Sequence, residues 1–241
     1  MGFQVCAHRG ASSSHPENTV AAFAAAAALG VERVEFDVRR TVDGALVIMH
    51  DPTVDRTTDG SGAVWELTLS QIRALDAGSH KGTQFIGERV PTLAEALSAC
   101  PMLCNVHVYP GPDDLEATVD GVVEELTHAG RLESAFVAGD ARVVDRVARV
   151  EPRLARCLLD WADDAESYPQ RSLDRGCLNL QPWRGIVSEE LCAVAHSLGQ
   201  TVHPFYADDE AEMTRQIACG VDGILTNQPA LLQRILRSLE R

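Results

Sequence analysis

Glu35 and Asp37 stand one residue apart in VEFDVRRTVDGALVIMHD, residues 34–51, within an apolar run whose continuation ends on His50. Side chains two apart on a strand share a face, so the two acids project together if this run is extended. Two carboxylates at that range in a partly dry site repel each other unless one is protonated or a cation lies between them. A divalent metal answers the constraint; an ion pair with Arg33, Arg39 or Arg40 is the plainer alternative. Upstream, AHRG ends another apolar run with His8 and Arg9, and Gly10 permits a sharp turn close to a ligand. The guanidinium of Arg9 offers a planar fork for two phosphate oxygens. His8 and His50, with reference pKa about 6.5, can serve as acid and base together near neutral pH. A hydrogen-bonded strand terminus is the bland alternative for either histidine.

Holding these groups together requires a scaffold, and short β-rich runs alternate with helical patterns from end to end. Strands are expected at 4–7, 33–37, 103–107, 134–138, 153–159, 177–180, 201–206 and 223–226. Helices are expected near 15–29, 92–100, 114–129, 140–149, 163–174, 188–198, 208–218 and 229–239. Eight strand–helix units predict an α/β fold, a TIM (β/α)8 barrel, in one domain over 1–241. Active sites in such barrels lie at the C-terminal ends of the strands, where His8, Arg9, Glu35 and Asp37 fall. Residues 38–90 break the rhythm with an Asp43-Gly44 hairpin turn, a polar loop and the short helical LSQIRAL, and read as an insertion at the catalytic mouth. Ser14, Pro16 and Glu17 read as a capping box for the first helix, which Gly30 would stop.

The 241 residues are 45% hydrophobic, enough for a sizeable core, and acids outnumber bases 35 to 21 for a net charge of −14. That balance argues against a nucleic-acid surface or an anionic membrane as partner, so an anionic substrate needs a local basic spot. Seven scattered cysteines without a CxxC pair suit a reducing, cytoplasmic setting. No basic stretch precedes a long apolar one at the start, and no run approaches a membrane span, so neither a signal peptide nor stable membrane insertion is expected. Oligomeric state is not legible.

AHRGASSSHPENTVAAF, VEFDVRRTVDGALVIMHDPTVDRTTDGSG, VPTLAEAL and GVDGILTNQP together resemble the glycerophosphodiester phosphodiesterase (GDPD) family, a branch of the phospholipase-C-like phosphodiesterases, over almost the whole chain. The resemblance implies a TIM barrel with a small insertion after its second strand and a hydrolase of lipid metabolism. It also implies that His8 and His50 are the acid/base pair, that Arg9 contacts phosphate, that Glu35 and Asp37 bind Mg²⁺ or Ca²⁺, and that Glu17 supports the substrate site.

Departures from the family pattern cluster on one arc. The third barrel strand normally ends on a Glu, followed two residues later by a Lys; LCNVHVYP has His107 and Tyr109 there. Ala138 and Gly139 replace a Ser-Phe pair on the next strand, and Phe205 stands for a Trp on the seventh. Imidazole suits Mn²⁺, Co²⁺, Fe²⁺ or Zn²⁺ better than hard Mg²⁺ or Ca²⁺, so His107 as third ligand predicts a transition metal or weaker Mg²⁺ binding. His107 could equally be a phosphate donor or a hydrogen-bonded strand residue. Tyr109 would be a neutral donor to substrate, and Phe205 would reshape the pocket. The expected activity is metal-dependent hydrolysis of a small glycerophosphodiester-like molecule to a phosphomonoester and an alcohol. A catalytically impaired barrel that binds a phosphorylated ligand, and a lyase forming a cyclic phosphate, remain as alternatives. Against the impaired barrel, drift would strike both arcs of the mouth, and simple binding needs no pair of histidines.

Other conspicuous residues carry plainer expectations. His15, His80, His128 and His196 read as solvated, and Trp65, Phe85 and Trp183 as packing. His203 shares a strand face with Phe205 and is a weaker candidate for the mouth, while the acidic runs near 163 and 208 read as first turns of helices.

Overall fold

Val5, Cys6 and Ala7 in one run, and Val34, Phe36 and Val38 in the next, are nearly free of solvent, as strands covered on both faces require. The structure, a computed structural model, describes residues 2–160 and 164–239. In chain order its elements are β1 (Gln4–His8), α1 (Val20–Leu29), β2 (Arg33–Arg40), β3 (Leu46–Ile48), α2 (Leu69–Ala74), α3 (Leu93–Ala99), β4 (Leu103–Val108), α4 (Leu115–His128), β5 (Ala135–Gly139) and α5 (Ala141–Val150). They continue with β6 (Ala155–Leu158), α6 (Tyr168–Leu173), β7 (Asn179–Leu180), α7 (Glu189–Ser197), β8 (Thr201–Val202), α8 (Glu210–Ala218), β9 (Gly223–Thr226) and α9 (Pro229–Leu239).

Parallel pairing runs β6-β5-β4-β2-β1-β9, with β7-β8 as a separate pair and β3 antiparallel on β2. Backbone bonds from Asp222 N to Val202 O (2.9 Å) and from Leu225 N to Pro204 O (3.0 Å) stitch β8 to β9. The result is the expected (β/α)8 barrel, with β3 outside the count of eight. On β2 the outward Val34, Phe36 and Val38 share an apolar cluster with Phe23 of α1 and with Leu93 and Leu97 of α3. The alternate residues Arg33, Glu35, Asp37 and Arg39 therefore face inward.

No backbone ladder joins β6 to β7 among the described residues. Tyr168, fully buried, fills that seam: its hydroxyl donates to Leu158 O (2.8 Å) and accepts from Gln181 N (3.2 Å). One phenol thus satisfies a carbonyl at the end of β6 and an amide just past β7.

The connection from β2 to α3 returns the chain to the mouth. A hairpin turn closes with Thr41 N on Ala45 O (2.9 Å), and Gly44 takes φ 91°, a left-handed conformation open to glycine. The Asp43 carboxylate then accepts from Leu69 N at the start of α2 (3.0 Å), while Val47, Val54, Val64, Ile72 and Val90 form a small core beneath the loop.

Three expected helix starts need correction. The first helix begins at Val20 rather than 15, because Asn18 has φ 58° and Thr19 is the cap, accepting from Ala22 N. Ser14 and Glu17 form no capping box; the Ser14 hydroxyl donates to Ala11 O (3.2 Å). The helix expected over 163–174 begins at Tyr168. Its first expected residue lies outside the described residues, and Pro169, which has no N–H to donate, stands in the first turn, where none is needed. Near 208, the cap of α8 is Asp209, which accepts from Glu212 N (2.9 Å); Asp208 points elsewhere.

Tyr168→Phe should leave the Leu158 carbonyl and the Gln181 amide without their partner and lower stability by about 1–3 kcal/mol. The check is a urea unfolding midpoint; an unchanged midpoint would mean the seam needs no such bridge.

Candidate active site

Strand register decides which inward side chains meet. His8 is level with Glu35 in the β1–β2 pair, and Asp37 is level with His107 in the β2–β4 pair. His107 Nδ1 consequently lies 3.8 Å from Glu35 Oε1 and 3.5 Å from Asp37 Oδ1, and one ligand atom from each of the three residues falls within 4.8 Å of the others. Asp37 Oδ2 accepts from Asn18 Nδ2 (2.8 Å) and lies 3.3 Å from Arg9 Nε. Asp37 Oδ1, in contrast, is buried with no hydrogen-bond partner.

Burial, reinforced by the charge of Asp37, pushes the Glu35 carboxyl well above its usual value. Burial also opposes ionisation of Asp37, but Arg9, His107 and His50 outweigh it and draw that carboxyl below its usual value. Burial and mutual repulsion thus oppose joint ionisation of the pair. Burial lowers His107 to about 3, leaving a neutral imidazole beside the acids. The ion pairs considered from sequence do not form: Arg33 donates to Asn179 Oδ1 (3.3 Å), and Arg39 donates twice to His50 O. Arg9 meets the acids instead. Its φ of 57° aims its own N–H at Glu35 Oε2 (3.0 Å).

The two histidines are braced differently. His8 Nδ1 lies 2.8 Å from Asn227 Oδ1, Nε2 lies 3.8 Å from Glu35 Oε2, and the ring stacks on Tyr206 at 5.6 Å. Burial first, then the charge of Arg9, lowers His8 to about 4. His50 Nδ1 lies 2.6 Å from Asp51 Oδ1. Arg56, from the loop after β3, donates to Asp51 Oδ2 (2.6 Å) and to both oxygens of Glu17 (2.8 Å each), and Glu17 also accepts from Arg9 Nη1 (2.8 Å). Burial disfavours the Glu17 anion, yet Arg56 and Arg9 overcome it and hold the carboxyl at about 2. Released from the first turn of α1, Glu17 links the loops that carry the two histidines.

A cavity of about 160 Å³ opens at this end of the barrel. His8, Arg9, Glu35, Asp37, His50 and His107 form its polar wall. Tyr109, Trp183, Phe205 and Tyr206, with Leu159 and Leu225, form the other. The Tyr109 ring lies 4.0 Å from that of His107, meets His50 edge-on at 5.5 Å, and carries the Arg39 guanidinium at 4.8 Å. Glu17 lines an adjoining cleft beside Ser12, Ser13 and Gln228.

Several readings change. Trp183 lines the cavity rather than only packing, whereas the Phe85 ring rests on His15 at 5.1 Å. His203 is buried low in the barrel, 2.9 Å from Gln4 Oε1 at the start of β1, so it does not reach the mouth. His196 is paired with Asp222 at 2.9 Å. Sequence reasoning missed Asn18, Asp51, Arg56, Asp208 and Asn227 as site residues. Asn18, Asp51 and Asn227 sit in the PENT, HD and TNQP segments already singled out, and that was the available signal.

A barrel with an acid–acid–imidazole cluster, two further histidines and an arginine at its C-terminal mouth has the groups that phosphoric diester hydrolysis needs. The sequence matches the model of the "Glycerophosphoryl diester phosphodiesterase family" over residues 8–231. It is 37% identical to a glycerophosphodiester phosphodiesterase of Caldanaerobacter subterraneus subsp. tengcongensis, over 97% of each chain. Its structure superposes on an Oleispira antarctica phosphodiesterase solved in complex with the product sn-glycerol-3-phosphate, with TM-score 0.92, 28% identity and coverage of 97% and 96% of the two chains. An Agrobacterium tumefaciens glycerophosphodiester phosphodiesterase superposes with TM-score 0.81 at 26% identity, covering 95% of this chain and 99% of that one. The chain belongs to the glycerophosphoryl diester phosphodiesterase family, and is a phosphoric diester hydrolase of that class. No helix among the described residues is long and apolar enough to cross a membrane.

Glu17, depressed from 4.5 to about 2, contributes stability that is complete above pH 4.5 and is lost as pH falls toward 2. Glu17→Gln should therefore cost on the order of 2 kcal/mol at neutral pH, a figure discounted because Arg56 is half exposed. Thermal melts of both proteins across that range should show the gap closing on acidification; a gap independent of pH would refute the linkage.

Proposed function

We propose that the protein hydrolyses a glycerophosphodiester to a phosphomonoester and an alcohol with a divalent metal held by Glu35, Asp37 and His107. The observation that carries this reading is the buried, unpartnered Asp37 Oδ1, 3.5 Å from His107 Nδ1 and beside the Glu35 carboxyl. A cation supplies what that oxygen lacks and relieves the repulsion between the acids. The donor set fits such an ion: two carboxylates and a neutral imidazole, which suits Mn²⁺, Co²⁺ or Zn²⁺ better than the Mg²⁺ or Ca²⁺ of the family pattern. When bound, the ion supplies Lewis-acid polarisation of a phosphoryl oxygen.

The remaining work falls to the chain's own groups. Arg9 directs Nε toward Asp37 and Nη1 to Glu17, and Nη2 makes no hydrogen bond among the described residues; that edge receives a phosphate oxygen. His8 is backed by a neutral amide and holds an unprotonated Nε2, so it takes the proton of the attacking water. His50 is backed by the Asp51 carboxylate, which orients the ring to give a proton to the leaving oxygen. Buried Tyr109 keeps its proton and donates to the phosphate as a neutral group. Phe205, with Trp183, packs on the leaving alcohol. Glu17 bears on substrate by fixing Arg9. Residues 38–90 act as an insertion that carries His50 and Arg56 to the mouth. Described with sn-glycerol-3-phosphate as its product, the Oleispira relative supports a glycerol-bearing diester as substrate. Buried, unpaired thiols favour the cytoplasm, and the charge of −14 disfavours nucleic acid.

Metal-stripped protein refilled with Mg²⁺, Ca²⁺, Mn²⁺, Co²⁺ or Zn²⁺ should release glycerol phosphate from a panel of glycerophosphodiesters. His50→Ala should slow it by roughly 10²–10⁴-fold. His107→Glu should move the preference toward Mg²⁺. Equal rates for wild type and His50→Ala under every metal would sink the proposal, and a cyclic phosphate as final product in phosphorus NMR would replace hydrolysis by a lyase reaction.

A further inference from the structure

Resting on the reading of His8 as a catalytic histidine, we infer that Asp208, acting through Asn227, is a positioning residue that fixes His8 in the tautomer with hydrogen on Nδ1 and a free Nε2 facing the acids. Asp208 follows β8, and Asn227 follows β9; barrel closure brings both to the end of β1, where His8 lies. Asp208 Oδ2 sits 2.6 Å from Asn227 Nδ2, and Oδ1 accepts from Asn227 N (2.8 Å) and from the Thr226 hydroxyl (3.1 Å).

A carboxylate only accepts, so the nitrogen of the Asn227 amide must face Asp208 and its oxygen must face His8. Turning the amide over would set oxygen against oxygen. The amide oxygen can only accept in turn, which obliges His8 Nδ1, 2.8 Å away, to carry the hydrogen. Ser12 Oγ lies 2.8 Å from the same oxygen and 2.7 Å from His8 O, pinning the loop after β1 to Asn227. Stacking on Tyr206, with an interplanar angle of 13°, fixes the ring plane. Asp208 is not needed as a helix cap, since Asp209 caps α8. An amide relay also orients His8 without setting another full negative charge directly against it, beside a Glu35–Asp37 pair already short of positive charge.

Asp208→Asn removes the reason for the Asn227 amide to keep its orientation. Expected is a fall in kcat of about 10–100-fold, comparable to loss of an outer hydrogen-bond partner of a working imidazole, with KM for the glycerophosphodiester within about twofold. The tautomer is read directly from ¹⁵N-histidine spectra with diamagnetic Mg²⁺ present, the His8 signal being assigned by its loss in His8→Ala. Wild type should give the Nδ1–H tautomer and Asp208→Asn a mixture. In a His8→Ala background, Asp208→Asn should cost nothing further, whereas a merely structural role would persist. If Asp208→Asn fails to fold, Asn227→Ser cuts the relay from the other side, with the same readings expected. Unchanged kcat and tautomer in a folded variant would overturn the inference, as would an undiminished loss in the His8→Ala background. Full activity in His8→Ala itself would instead defeat the catalytic reading of His8, so the two failures are distinguishable.

Discussion

The inner face of β2 sets the central constraint: strand geometry places Glu35 and Asp37 side by side, and burial makes their joint ionisation unfavourable. The surrounding site is arranged against that repulsion. Arg9 presents its guanidinium to Asp37 and its backbone N–H to Glu35, and a left-handed backbone permits the second contact. Asn18 is also left-handed and donates to Asp37. Arg9 and Asn18 are the described non-glycine residues with positive φ, and both bear on the same two acids. The strain therefore coincides with the place where oriented donors are most needed. Even so, Asp37 Oδ1 faces the imidazole of His107 at 3.5 Å and has no hydrogen-bond partner.

The barrel was legible because its signals are local. Apolar runs with turn residues between them identify strands and helices one at a time, and the C-terminal-end rule then places His8, Arg9, Glu35 and Asp37 at one mouth. Boundaries were less legible wherever one residue's backbone bore on them: Asn18 delays α1, and Pro169 suits the first turn of α6. The Glu17 reading failed with that boundary, since a capping box needs the helix to begin at 15. Contacts between distant segments left no trace in spacing. His8 and Asn227 are 219 residues apart, Arg56 and Glu17 39, and only closure of the barrel or folding of the loop after β3 joins them. His203 illustrates a further limit. Shared parity with Phe205 gives the face of a strand but not the depth, and two residues separate a mouth position from one packed beside Gln4.

The two histidines reach the same cavity with opposite kinds of support. An amide stands behind His8 and a carboxylate behind His50, and each partner is held by a further charged group, Asp208 in one case and Arg56 in the other. The symmetry is chemical rather than structural: one chain of contacts ends in an anion and the other in a cation. Arg56 has a second effect. By gripping Glu17 as well as Asp51, it links the placement of Arg9 to that of His50.

That coupling bears on how the altered arc at β4 is understood. His107 and Tyr109 stand where the resemblance implies a Glu and a Lys, so relative to that pattern one negative and one positive charge are absent together. The replacements also pack on each other, ring to ring at 4.0 Å, and the Arg39 guanidinium lies over Tyr109 while gripping the carbonyl of His50. A paired exchange that fills the space with mutually stacked rings and ties into the support of His50 has the character of a rebuilt wall. On the proposed reading, an arc of that kind bears on which metal and which alcohol the site prefers.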